Sequence, residues 1–512
     1  MARMNESQGY YTVAHIRSIE RQALSQLPPG TLMHRAAAAI ADQADQMLRQ
    51  MDPRARAIGL IGPGNNGGDA LLALQLLARR GYATAAFALN PQRPGAADAA
   101  AVHDTWIAGG AALHPLEALP ATLAGVEFDD LLIDGLFGIG LSGPLGGTAA
   151  HIAQLTHRSS SPVLSVDVPS GINADTGAVI GGLRASAVKA TCTVTMIGAK
   201  PGLHTGRGLE LAGEVRLASL SLDTGLADGL RIDREWVASR LQPRRRGAHK
   251  GSFGTLAILG GAEEMRGAAL LAGLAGRASG AGKVALLGPD GPVFDPGEPQ
   301  LMAWTLARPA DLEQRLKSAS AAVIGCGLGT GLGSRTLFTR ALRCELPAVI
   351  DADGLNLIAQ TDHAPILSNS LQERAARRPT VLTPHPLEAS RLLGCTVAQV
   401  ESDRIASARQ LAAQTNATVL LKGAGTILAA PDGRWALIAS GNPALATGGT
   451  GDILSGVVGA LLAQGYSAWK AAAIAAWVHG HAADQWQAHQ PRAIGLSSEA
   501  LLAGIVDVFN HC

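Results

Sequence analysis

The chain has 512 residues, 47% hydrophobic and 16% charged, with 62 glycines and a net charge of +1. That length exceeds one ordinary domain, and the apolar content excludes a disordered chain. A charge so near zero gives no electrostatic reason to expect nucleic acid or a membrane surface as partner, and neither is predicted.

The five cysteines (Cys192, Cys326, Cys344, Cys395 and Cys512) are scattered and form no Cys-x-x-Cys pair. They read as thiols in a reducing compartment. With no positive-then-apolar leader pattern in the first residues, a cytoplasmic protein is expected. The uncharged stretch between Asp452 and Lys470 is broken by Gly456, Gly459, Gln464 and Gly465, so it reads as a buried core helix and not a membrane span.

From about residue 12 to 48, Ile16, Ile19, Leu24, Leu32, Met33 and Ile40 recur among alanines at helical spacing. An apolar run at 57–61 reads as a strand. It runs into Gly62, Pro63, Gly64, Asn65, Asn66, Gly67, Gly68 and Asp69, and a helix is predicted beyond, through Leu71, Leu74 and Leu77. Gly62, Gly64 and Gly67 have the Gly-x-Gly-x-x-Gly spacing of a dinucleotide turn in its strand–turn–helix context. An ordinary Rossmann site also wants an acid at the end of the next strand to hold a ribose. The strand predicted over 84–89 ends instead in Asn90 and Pro91. The side-chain carbonyls of Asn65 and Asn66 suit a cation or a polar ligand.

Two later strand ends are polar. Residues 131–134 finish in Asp134 and run into Gly135, Leu136, Phe137, Gly138, Ile139, Gly140 and Leu141; residues 162–167 finish in Asp167 and run into Val168, Pro169, Ser170 and Gly171. Open α/β sheets bind ligands at such ends. These three segments together resemble the NAD(P)H-hydrate epimerase domain, over most of residues 10–220. The resemblance implies a Rossmann-like three-layer αβα domain. Its substrate site would be lined by Asn65, Asn66, Gly67, Gly68, Asp69, Gly138, Ile139, Gly140, Leu141, Ser142, Gly143 and Pro144. Asn66, Asp134 and Ser170 would ligate potassium, and Asp167 would contact the hydrated nicotinamide. Ala70 stands where the family usually has Gly, and Ile139 where it usually has Thr, which removes a hydroxyl from the ligand loop.

Periodicity fades between about Asp223 and Lys250, where Pro243 and the run Arg244, Arg245, Arg246 occur. Domains are therefore expected at 1–225 and 249–512, with 226–248 as the boundary. In the second half, strands are predicted at 255–259, 284–287, 321–325, 348–351, 381–383 and 419–422. Most are followed by glycine or proline and then a helical stretch, the pattern of a parallel α/β sheet. Polar clusters fall at their ends: Gly325 to Gly329, Asp351 with Asp353, Thr383 with His385, and Lys422 to Thr426. Last come Gly448, Gly449, Thr450, Gly451 and Asp452, opening a helix through Ile453, Leu454, Val457 and Leu461. Such a turn offers unpaired N–H groups and a positive dipole end to an anion. An acid inside it is awkward unless it takes a proton, though a plain helix cap is the simpler use of one Asp. There is no P-loop and no His-Glu-x-x-His metal helix, and His479 with His481 are poorly spaced as joint ligands.

The turn resembles the anion hole and catalytic aspartate of the ribokinase-like superfamily, in the wording of its ADP-dependent NAD(P)H-hydrate dehydratase branch. By that resemblance the C-terminal domain has the ribokinase-like αβα fold. Ala269, Gly327, His385 and Asp452 would meet the hydrated dinucleotide, and Lys422, Gly423, Ala424, Gly425, Thr426 and Gly451 would hold ADP, with Mg2+. Catalysis would rest on Asp452 and Asp167. The implied activity is repair of NADHX and NADPHX by a homo-oligomer: epimerisation in the first domain, ADP-driven dehydration of the S form in the second. The alternative is a small-alcohol kinase with a non-catalytic N-terminal binding domain.

Overall fold

The computed structural model describes residues 9–124, 129–182, 184–360 and 364–512. The chain divides into two compact units, Met1–Gly229 and Leu230–Cys512.

In the first unit a short strand β1 (Gly9–Tyr10) precedes two helices, Val13–Leu24 and Thr31–Leu48. Pro28, Pro29 and Gly30, the last at φ 76°, split the helical periodicity in two. A seven-stranded sheet follows, built from β2 (Ala57–Ile61), β3 (Thr84–Ala88), β4 (Leu113–Pro115), β5 (Leu131–Gly135), β6 (Val163–Val166), β7 (Cys192–Met196) and β8 (Glu214–Ala218). Its order is β4-β3-β2-β5-β6-β7-β8, with neighbours parallel. Side chains alternate between faces. Ala57, Ile61, Leu131 and Ile133 join the cluster that holds both N-terminal helices, while Ile58, Leu60 and Leu132 join a second cluster with Leu116 and Ile152. Burial on both faces makes the unit three-layered. Strand order reverses between β2 and β5, so the turns leaving them flank the crevice where such sheets take ligands.

The second unit continues with β9 (Gly229–Ile232), β10 (Thr255–Leu259), β11 (Lys283–Leu287), β12 (Leu301–Trp304), β13 (Ala321–Ile324), β14 (Ala348–Ile350), β15 (Thr380–Leu382), β16 (Thr418–Leu421), β17 (Ile427–Ala429) and β18 (Trp435–Ile438). From β9 the order runs β9-β18-β17-β16-β15-β14-β13-β10-β11-β12. Pairing is parallel from β12 through β16, then antiparallel through β17 and β18, and β9 adds parallel to β18. Leu256, Ile258, Val323 and Val349 share one core cluster with Ile453, Val457 and Leu461 of the helix Thr450–Ala463.

The segment 226–248, expected to be a boundary, differs from that expectation. It contains β9 and a helix Arg234–Ala238 capped by Asp233, and its Ile232, Trp236 and Val237 are buried in the core of the second unit. Too short to show a period, these elements owe their order to tertiary packing. No helix among the described residues is long and apolar enough to cross a membrane.

Candidate active sites

In the first unit the glycine turn after β2 works by close approach. A Cβ on Gly62 would lie 1.7 Å from the Leu136 carbonyl oxygen, so only glycine lets the β2 and β5 turns touch. The helix Asn65–Arg79 starts there, with Gly64 as N-cap. Asn65, Asn66, Asp69, Gly138, Ile139, Gly140, Leu141 and Asp167 line one cavity of about 430 Å³. Ser142, Gly143 and Pro144 are not part of its wall, nor are Gly67, buried against the Gly62 backbone, and Gly68, buried against Met33 and Ala99.

Asp134 and Ser170 sit fully buried. Asp134 accepts hydrogen bonds from the Ser170 hydroxyl (2.6 Å), the Ser170 amide (2.9 Å) and the Ser165 hydroxyl (2.9 Å). The Ser170 hydroxyl oxygen accepts from the Phe137 amide at 2.9 Å, and the neighbouring Gly138 lies against the Asn66 side-chain oxygen. Burial raises the Asp134 pKa, with the Ser170 and Ser165 hydrogen bonds opposing it. The Asn66 amide nitrogen is buried without a hydrogen-bond partner. Amide oxygen and nitrogen are interchangeable by a flip, which would present an oxygen there. A buried carboxylate bonded only to neutral donors, a hydroxyl and an orphaned amide fit a hard monovalent cation.

Asp167 follows β6 with a left-handed backbone (φ 67°). One of its oxygens accepts from Lys200 Nζ at 2.7 Å and from the Met196 amide at 2.9 Å. Burial, then the charge of Asp167, raises the pKa of Glu20, and the same two causes hold Asp69 well above the usual carboxylate range.

In the second unit the helix Thr450–Ala463 begins two residues ahead of Asp452, with Gly449 as N-cap at φ 91°. Asp452 is thus a first-turn residue and not the cap. Burial, then the negative charge of Asp351, raises its pKa to about 6. Buried Asp351 accepts from Lys422 Nζ (2.8 Å) and from the Ser455 hydroxyl (2.7 Å), tying the end of β16 to the Asp452 helix. A Cβ on Gly451 would stand 3.5 Å from Lys422 Nζ, so an ammonium faces the opening of that helix. Burial alone would lower the pKa of Lys422, but Asp351 and Glu388 outweigh it and the net shift is upward.

His385 does cap a helix. Its Nδ1 accepts the Leu387 and Glu388 amides (3.1 and 3.2 Å), and Glu388 accepts the His385 amide at 2.8 Å. Burial and then Lys422 lower its pKa, keeping the ring neutral. Burial raises Glu388 to about 7 against the pull of Lys422, 4.0 Å away. Ala269 is buried. The helix Arg266–Ala278 turns its side chain inward, fully buried against Gly261. Gly327 packs against Met265 at φ 59°. The Lys422 to Thr426 loop turns at Gly423 (φ 130°) and Gly425 (φ 65°) into β17. His479 bonds the Thr450 carbonyl at 3.0 Å, burial lowering it to about 4, and His481 stacks on Trp477.

A family profile described as NAD(P)H-hydrate dehydratase matches residues 256–505, and one described as YjeF-related protein N-terminus matches residues 29–202. The bifunctional NAD(P)H-hydrate repair enzyme Nnr of Escherichia coli K12 is 34% identical over 435 residues, 83% of this chain and 80% of that protein. The chain belongs to the bifunctional NAD(P)H-hydrate repair enzyme family. The relative of the same name from Mycobacterium tuberculosis H37Rv is 38% identical, covering 83% of this chain and 82% of its own length. A solved ADP/ATP-dependent NAD(P)H-hydrate dehydratase from Bacillus subtilis, co-crystallised with ATP/Mg2+, is 30% identical, covering 55% of this chain and 97% of that one, with a TM-score of 0.48.

In this repair-enzyme chain the kinase alternative is not favoured, because the named relatives span both units. Sequence reading passed over Lys200, Glu20, Glu388 and the part played by Asp351. A lysine between apolar β7 and Pro201 was the available signal for the first.

Proposed function

We propose that the first unit interconverts the R and S hydrates of NADH and NADPH and that the second dehydrates the S form at the expense of ADP. The observation that carries this reading is Asp452: one carboxylate at the opening of a helix, half-sunk, with a pKa of about 6, next to the Gly451 backbone that Lys422 approaches. A base there is ionised at neutral pH and close to its working range. It takes the C6 hydroxyl proton as that oxygen attacks the terminal phosphorus of ADP, and AMP leaves with the electrons of the broken P–O bond. The Gly448 to Gly451 turn and Lys422 meet the charge on the transferring phosphoryl group. Phosphate then departs from C6, pushed by the ring nitrogen, with loss of the C5 proton, giving NAD(P)H, AMP and phosphate. Among the described residues no three acidic, histidine or cysteine side chains gather as a metal cage. Mg2+ travelling on nucleotide phosphates needs no such cage.

In the first unit, Asn66, Asp134 and Ser170 are the residues that would hold potassium, which supplies positive charge beside the substrate. Asp167 would be the base. It takes the C6 hydroxyl proton while C6–O becomes a carbonyl and the C6–N1 electron pair retreats to N1. Rotation, re-addition of N1 to the other face and return of the proton complete the inversion. Five unpaired cysteines are in keeping with a cytoplasmic setting, and sedimentation tests the expected homo-oligomer.

The decisive assay follows NADH absorbance from a mixed R/S hydrate with ADP, ATP or neither. Complete recovery with ADP supports both activities. Recovery that halts at the S fraction removes the epimerase, and a stable phosphate ester would restore the kinase reading.

A further inference from the structure

Lys200 has no exposed surface, a position that lysine occupies only when its charge is matched. It follows β7 and lines the same cavity as Asp167. Its Nζ donates to Asp167 Oδ1 at 2.7 Å, the Met196 carbonyl at 2.8 Å and Thr195 Oγ1 at 3.1 Å, with the Gly198 carbonyl at 3.5 Å. Thr195 Oγ1 and the Met196 amide also reach the same Asp167 oxygen, at 3.3 and 2.9 Å. One carboxylate oxygen is therefore fully engaged in a fixed cradle, which leaves the other oxygen as the one able to work. The left-handed backbone at Asp167 serves that aim: the strand end bends sharply to deliver the carboxyl to the lysine.

Four carboxyls, Glu20, Asp69, Asp98 and Asp167, share this cavity. Glu20 comes from the helix Val13–Leu24 and Asp69 from the helix Asn65–Arg79, and both line it beside Asp167, with Arg17 and Asp98 as the other charged groups facing in. Like charges in one enclosed space disfavour joint ionisation. Neither Glu20 nor Asp69 is among the hydrogen-bond partners of Lys200. Both carboxyls have raised pKa values, from burial first and the Asp167 charge second.

We propose that Lys200 is a positioning residue of the epimerase site, which singles out Asp167 among the four carboxyls of the cavity as the base that meets the C6 hydroxyl. This rests on the epimerase reading of the first unit. In the ring-opening step Lys200 loses and gains no proton. It fixes one oxygen of Asp167 and matches its negative charge, so that the hydroxyl proton goes to the other oxygen and later returns.

The test is a double-mutant cycle in the full-length protein, with epimer interconversion followed by chromatography and S-form dehydration followed in parallel. Lys200→Met is expected to slow interconversion about 100-fold at neutral pH, in the usual range for a disabled base. The acid limb of its pH–rate profile should move to higher pH, and Lys200→Arg should restore part of both. S-form dehydration should be unchanged. If Lys200 acts through Asp167, adding Lys200→Met to Asp167→Asn brings no further loss. That comparison stands even where Lys200→Met alone fails to fold, because the double variant removes both charges together. Additive losses, or a slowed Lys200→Met enzyme whose pH profile has not moved, would overturn the proposal. A wild-type protein unable to interconvert the epimers would sink the epimerase reading itself.

Discussion

Replacing Asp452 by Asn removes a charge from the opening of a helix without changing its shape. The variant should bind nucleotide and lose dehydration by ~10² to 10⁴; near-normal turnover would mean that another group is the base. In the wild type, dehydration should rise with pH through an acid limb near 6, where Asp452 ionises. Stability carries the opposite sign. Between a free aspartate's 3.8 and the folded value of about 6, the unfolded chain has released a proton that the folded chain retains. Stability from this site therefore falls as pH rises through that window. Asp452→Asn should accordingly melt higher than wild type by a few degrees at neutral pH in calorimetry. The proposed potassium ligands give a second test at this scale. Asn66→Ala or Asp134→Ala should slow epimer interconversion at least tenfold, leave S-form dehydration intact, and flatten the dependence of interconversion on potassium concentration. Parallel loss of both activities in stable protein would contradict that division. These residues were legible because a turn crowded with glycine and asparagine, or an acid behind three glycines, is chemically odd wherever it stands. Lys200 was not legible: its role depends on a carboxylate thirty-three positions earlier in the chain, and its place between a strand and a proline signals burial at most, not that partner. The bond between Ser455 and Asp351, 104 positions apart, likewise exists only once the sheet has formed.

At the scale of elements, the Asp452 helix rests on the helix Arg266–Ala278 through bare backbone. A Cβ at Gly456 would lie 2.1 Å from the Ala272 carbonyl oxygen, and one at Gly459 would lie 2.5 Å from a Val323 methyl. Gly456→Ala must push the helices apart. It should lower the melting temperature of the second unit, by about 1–3 kcal/mol of stability as in other overpacked cores, and reduce dehydration while leaving epimerisation alone. Unchanged melting would show that the contact yields. The central strands were readable from apolar runs bounded by glycine, and β2 and β10 fall at the predicted residues. The antiparallel hairpin of β17 and β18 escaped notice, because its strands have three and four residues and the parallel pattern around it dominates. Its turn does carry a signal in Pro431, Asp432 and Gly433.

For the whole molecule, assigning one activity to each unit implies that the two can be separated, and the structure decides where to cut. A fragment beginning at residue 249 lacks β9 and the helix Arg234–Ala238, whose Ile232, Trp236 and Val237 are core residues. A fragment of residues 230–512 should be soluble and dehydrate the S form. The shorter one should aggregate or melt well below it, and equal stability of the two would show that these residues are dispensable. The partner fragment, residues 1–229, should epimerise alone. Fragments inactive apart and active on mixing would instead mean that one site needs both.

The position of β9 sets an order in time. It is the first strand of its unit to be synthesised and pairs with β18, the last, roughly two hundred residues later. A ribosome releases the chain from its N-terminus, so β9 must wait for β18 while the strands between are made. The first unit, whose final strand β8 ends at Ala218, can close long before. Nascent chains arrested near residue 300 should therefore already protect the first unit from protease, while the β9–β18 pair should form only after the segment through Ile438 has left the exit tunnel.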